Sequence, residues 1–114
     1  MRLRSDLWVS AYLRRCAVEG VVAVLRRRGA AEAGAIFVKV DRLDSTGTLY
    51  GAAPSADELP RGVDRLFARL HASETLPAAD IEARLARQRG FDPDIWIVEV
   101  EDRAGRCFLD LVST

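Results

Sequence analysis

The sequence predicts an α+β domain, a mostly antiparallel sheet of about five to six strands with two helices packed on it. Three observations carry that prediction. Residues 95–101, Ile-Trp-Ile-Val-Glu-Val-Glu, alternate as a strand does, with Trp96, Val98 and Val100 on one face and Ile95, Ile97, Glu99 and Glu101 on the other. Residues 6–19 and about 77–89 carry helical spacing. The order helix, strands, helix, strands then points to helices laid on a sheet. At 114 residues the chain suits a single domain spanning 1–114. Folding at this length buries roughly 65% of the surface the unfolded chain exposes, enough for a core without staples.

The first helix is expected to start at an N-cap, Ser5, and to stop at Gly20, a residue that takes the left-handed conformation readily. Projected at 3.6 residues per turn, Trp8, Val9, Tyr12, Leu13 and Cys16 share one broad face, while Leu7, Ala11 and Val18 form a second apolar stripe opposite it. Residues 21–25, Val-Val-Ala-Val-Leu, read as a buried strand ending at Arg26-Arg27-Arg28. A loop from Gly29 to Gly34 leads to a second strand, 35–41, with Ile36, Val38 and Val40 on one face. Turn chemistry at Asp44-Ser-Thr-Gly47 predicts a hairpin with a third strand, 48–51.

Residues 52–62, with Pro54, Pro60 and Gly62, read as an irregular connection. The short run 63–71 fits either period, and its bounding breakers favour a strand. Pro77 suits the first turn of the second helix, and Gly90 its end, with Glu82, Arg84, Arg87 and Arg89 on the solvated face. The segment 91–102 is expected in the sheet. After a tight turn at Asp102-Arg-Ala-Gly105, residues 107–111 are expected as the closing strand of a hairpin.

Composition narrows the function classes. With 49% hydrophobic and 30% charged residues, the chain is globular material. Two cysteines, Cys16 and Cys107, make no disulfide framework. No stretch approaches the roughly 20 apolar residues of a membrane span, and no secretory signal opens the sequence, so the expected location is cytoplasmic with no membrane partner. The net charge is zero, yet residues 1–42 carry +5 and residues 43–114 carry −5. The two halves are expected to neutralise one another in space, with Glu99 and Glu101 answering Lys39 and Arg42.

Three constellations could carry chemistry. Asp92, Asp94, Glu99 and Glu101 could hold Mg²⁺ or Mn²⁺ through oxygen ligands, and Pro93-Asp94 with Glu99-Val-Glu101 faintly resembles the signature of restriction-type nucleases. The required lysine is replaced by Glu101, and a strand with one charged, solvated face accounts for the same residues. Arg26, Arg27 and Arg28 are candidate anion-binding residues for nucleic acid, but they alternate across a strand end and cannot share one ligand. Leu7, Ala11 and Val18 are the candidate interaction surface, for a protein partner or a second copy. His71 is the single histidine and is expected at the surface or a strand edge. Both cysteines sit at core-facing positions where thiols are inert. No phosphate loop, dinucleotide fingerprint or nucleophile elbow is present, and no cofactor or metal is expected.

The opening Arg-Leu-x-Ser-Asp-Leu-Trp-Val-Ser-Ala-Tyr-Leu-Arg-Arg, then GAIFVKV, LYG, RQRGFDPDIWIVEVEDR and FLDLV, resembles a family of short alphaproteobacterial proteins, domain of unknown function 1491. The similarity spans essentially the whole chain. It implies a bacterial, intracellular, stand-alone domain and assigns no activity, cofactor or catalytic residue. The expected function is therefore a small non-catalytic protein-interaction or accessory domain. The alternatives are a divalent-metal-dependent enzyme or ligand binder using residues 92–102, and a weaker nucleic-acid reading through the N-terminal arginines.

Overall fold

A computed structural model describes residues 2–54 and 59–112, so residues 55–58 of the expected irregular connection lie outside the described residues. The elements in chain order are α1 (Ser5–Val18), β1 (Val22–Arg27), β2 (Ile36–Asp41), β3 (Thr46–Ala52), β4 (Phe67–Arg69), β5 (Leu76–Pro77), α2 (Ala78–Phe91) and β6 (Trp96–Glu101). One six-stranded sheet runs β1-β6-β2-β3-β4, with β5 pairing β3 beside β4. Every pairing is antiparallel except β2 with β6, which is parallel. The α+β prediction is met.

Alternation divides the core in two. Ile36, Val38, Val40, Trp96, Val98 and Val100 point to one face, where α1 lays Val9, Tyr12 and Cys16 against them. Leu49 and Ile97 point to the other face and meet Ile81 and Leu85 of α2. The broad apolar face of α1 is thus the buried one, with Trp8 and Leu13 half-buried at its margin. The β2–β3 hairpin forms as expected, and the positive φ angles of its turn fall on Leu43 and Ser45.

Several expectations are corrected. Ser5 is the first helical residue, not the N-cap; Arg4 takes that place without a side-chain cap. The amides of Ser5 and Asp6 donate to the carbonyls of Glu32 and Ala31, which frees the Ser5 hydroxyl to donate to Gly34 O at 2.7 Å. Gly20 does take the left-handed conformation, with φ at 78°. Gly90 does not; it lies inside α2, which runs on to Phe91. Within 63–71 only Phe67–Arg69 is strand. Of 91–102 only Trp96–Glu101 pairs, because residues 92–95 are used to turn from α2 into the sheet.

Two corrections change the topology. Residues 107–111 are not the closing strand of a hairpin with β6. Both edges of β6 are already occupied, by β1 and β2, so the chain leaves after the Asp102–Gly105 turn and lies along β4 instead. There it forms a parallel bridge between Leu111 and Phe67. The run 21–25 is not a buried strand either. It belongs to β1, the outermost strand, and β1 is mostly exposed.

Candidate interaction surface

The sheet has two edges, and the chain treats them differently. At β4, Phe67 donates to Asp110 O and accepts from Val112 N–H, both at 2.9 Å, so the C-terminal segment covers that side. At β1 no described segment pairs with the outer side. An uncovered strand presents a row of free amides and carbonyls to any extended chain that reaches it.

Register fixes which β1 side chains flank that row. Ala23 and Leu25 lie opposite Val100 and Val98, on the α1 face. Val22 and Val24 lie opposite Glu101 and Glu99, on the α2 face. The helix α2 packs chiefly on β3 and β5 and reaches β1 through the Glu82–Arg26 pair, while Val22 and Val24 stay exposed. Val22, Val24 and Leu25 are accordingly 56%, 47% and 38% exposed. Val18, where α1 ends just before β1, is 79% exposed.

The C-terminal end of β1 is held by charge. A bulge between Leu25 and Arg27 breaks the register here, and Arg26, following Val22 and Val24 in alternation, lies on the α2 face. Its guanidinium donates to Glu82 at 2.7 and 2.8 Å and to Glu99 at 2.9 Å. Lys39 Nζ, buried on β2, reaches the same Glu82 at 2.7 Å and stands 3.7 Å from Glu99, its partner in the parallel register. Hydrogen bonds from Arg26, then from Lys39, pull the Glu82 carboxyl down to about 2, and the same contacts raise Arg26. The expected pairing of the two halves is realised here, together with Arg42 on Glu74 at 3.3 Å. Arg42 does not answer Glu101.

The other candidate residues disperse. Arg27 donates to Pro93 O at 2.7 Å, and Arg28 lies 5.3 Å from the Trp96 ring, so Arg26, Arg27 and Arg28 point to three different places. Asp92 accepts from the Asp94 amide at 2.9 Å in the turn before β6, and Glu99 is committed to the ion pairs. Asp94 and Glu101 are seven residues apart, roughly 23 Å along an extended chain. Among the described residues no group of three His, Cys, Asp or Glu side chains is placed to hold a metal ion. Leu7 is 54% exposed, and Ala11 lines a small cleft with Trp8, Tyr12 and Phe108; no described segment covers the Leu7 and Val18 stripe.

The thiols and His71 serve the fold. Cys16 is fully buried, and burial pushes its thiol up, away from the thiolate. Tyr12 donates to Cys107 O at 2.6 Å, and burial raises its hydroxyl far above the usual range. His71 Nε2 accepts from the Leu49 amide at 3.0 Å, and its Nδ1 lies 2.8 Å from Ser73 O. The ring thus fills the gap beside β3 between β4 and β5. An open groove of about 600 Å³ against α2 contains one carboxylate, Asp80, beside Arg84 and Arg87.

Sequence reasoning missed Glu82, which it placed in solvent, and the β1 edge, which it read as core. The available signal for Glu82 was its position next to Ile81 and one turn before Leu85, at the margin of the buried stripe. For β1 the signal was the arginine triplet at its end, a common guard of an exposed edge.

Fold and surface together define a small α+β domain whose β1 edge is unpaired among the described residues, and no described helix is long and apolar enough to cross a membrane. The chain belongs to the family described as protein of unknown function, DUF1491, whose model matches residues 3–110. It is similar to the crystal structure of a DUF1491 family protein from Caulobacter crescentus CB15, at 37% identity, a TM-score of 0.78, and 99% of this chain over 100% of that one. An NMR structure of a DUF1491 family protein from the same organism matches at 40% identity and a TM-score of 0.79, covering 99% of each chain. The solution structure of protein Atu0922 from A. tumefaciens matches at 38% identity and a TM-score of 0.81, over 100% of this chain and 98% of that one. No curated protein matches.

Proposed function

We propose that this domain is a cytoplasmic protein-interaction module that presents the outer edge of β1 to an extended strand of another polypeptide. One observation carries the reading: β4 is covered by the chain's own C-terminal segment, while β1 keeps a bare edge flanked by Val22, Val24 and Leu25. Main-chain hydrogen bonds supply affinity in such an arrangement, and the alternating side chains supply selection. Residues 26–28 bound the usable edge to about 21–25, because charge and the bulge obstruct further pairing. Free thiols at Cys16 and Cys107 suit a reducing compartment.

Photocrosslinking in living bacteria tests this. A photoreactive residue replacing Val24 is expected to give one discrete adduct, absent when the same residue replaces Arg87 on the exposed side of α2. No adduct at Val24, or the same adducts at both positions, overturns the reading.

A further inference from the structure

Resting on that reading, we infer that the strand received by β1 is β1 of a second copy, paired antiparallel about a two-fold axis near Ala23. Charge selects the direction. A parallel arrangement sets two Arg26-Arg27-Arg28 rows side by side, whereas the antiparallel one sends them to opposite ends.

Centred on Ala23, the antiparallel register faces Val22 with Val24 of the second copy and Val24 with Val22. These four valines share the α2 face, where Val22 and Val24 are both exposed. Leu25 faces Val21 on the α1 side. Beyond the apolar stretch the strand register stops, because Glu19 caps α1 and Gly20 turns with φ at 78°; the arginine end of each copy is thereby brought towards the negative C-terminal end of the other copy's α1. The strand is therefore complementary to itself in apolar pattern, and the antiparallel orientation keeps its arginines apart.

The covered β4 edge sets the stoichiometry. Among the described strands β1 has the longest unpaired side, Phe67 of β4 being bonded to the chain's own C-terminal segment, and one antiparallel pairing there gives a closed isologous dimer. About five strand residues form a contact at the small end of stable interfaces, so the dimer is expected to dissociate in the micromolar range.

Sedimentation velocity across a dilution series, with the full chain, tests the proposal. Wild type is expected to pass from dimer to monomer on dilution. Val24→Lys should weaken association at least tenfold while melting like wild type, since Val24 is already half exposed. Leu7→Arg, on the outer stripe of α1, should leave association unchanged. Amide hydrogen exchange within 21–25 should slow as concentration rises. A wild-type monomer at high micromolar concentration overturns self-pairing, as does a dimer that survives Val24→Lys or is lost in Leu7→Arg. A foreign adduct from the Val24 crosslinker, with purified protein monomeric, would sink the dimer and leave the edge reading standing.

Discussion

Arg26 and Glu82 meet through two hydrogen bonds, 2.8 and 2.7 Å, that tie the exposed edge strand to the helix on the far side of the sheet. Lys39 shares the carboxylate and Glu99 shares the guanidinium, so two cations and two anions close a ring over β1, β6 and β2. The ring makes α2 answerable for the position of β1, although the two elements are not neighbours in the sheet.

Acid should loosen that tie. Glu82 ordinarily titrates at 4.5 and in the fold at about 2, so its contribution is complete above 4.5 and is lost as pH falls through 4.5 towards 2. In that window the unfolded chain binds the proton that the folded chain refuses. With the side chain 41% exposed, solvent screening reduces the contribution to about 1 kcal/mol. Glu82→Gln should flatten the pH dependence of stability between 4.5 and 2, measured by urea unfolding at several pH values. An unchanged slope would refute the coupling.

Removing one member of the ring should hurt more than removing a matched pair. Glu82→Ala leaves Lys39, with a side chain only 8% exposed, short of its closest partner, at a cost of about 2–3 kcal/mol. The double variant Lys39→Met/Glu82→Leu removes a cation and an anion together and keeps the Arg26–Glu99 pair. It should be more stable than Glu82→Ala, which chemical denaturation of both would decide.

His71 should resist protonation. Desolvation lowers it below its usual 6.5, and taking up a proton at Nε2 would cost the bond from the Leu49 amide. Its contribution is present above 6.5 and fades as pH falls through the lowered value. The imidazole resonances should titrate below 6.5 by NMR, and His71→Ala should cost about 1–2 kcal/mol by leaving the Leu49 amide without its acceptor. A titration at or above 6.5 would be the contrary result.

Gly34 has a steric duty. A Cβ there would be driven into the Asp94 carbonyl oxygen and the Ala30 backbone, in the loop whose carbonyls receive the first amides of α1. Gly34→Ala should destabilise the domain by at least about 2 kcal/mol, and Gly90→Ala, with open space around it, by nothing or slightly in the opposite sense. Thermal melts of the two variants give the comparison.

Much of the fold was legible because both faces of its central strands announce themselves. Trp96, Val98 and Val100 alternate with Ile97 and Glu99, and the pairing of Lys39 with Glu99 followed from charge alone. The position of β1 was not legible, because a β-branched run such as Val-Val-Ala-Val-Leu suits a sheet interior and an apolar edge equally well. The closing hairpin was misread for a topological reason: a tight turn at Asp102–Gly105 predicts a partner for β6 only if β6 has a free side, and sequence spacing carries no information about that. Glu82 escaped notice because its partners lie 56 and 43 residues away.

The insertion of β6 between β1 and β2 also dictates an order of events. Ribosomes deliver β1 well before its sheet neighbour, which arrives only with residues 96–101. Until then β2, β3 and β4 can assemble as a meander, while α1 and β1 wait without a place in the sheet. The last strand therefore acts as a keystone. Its docking closes contacts that span most of the chain in a single late step, and folding that depends on such distant pairings is slow. Chains stopped short of residue 101 should hold the meander at most and never recruit β1.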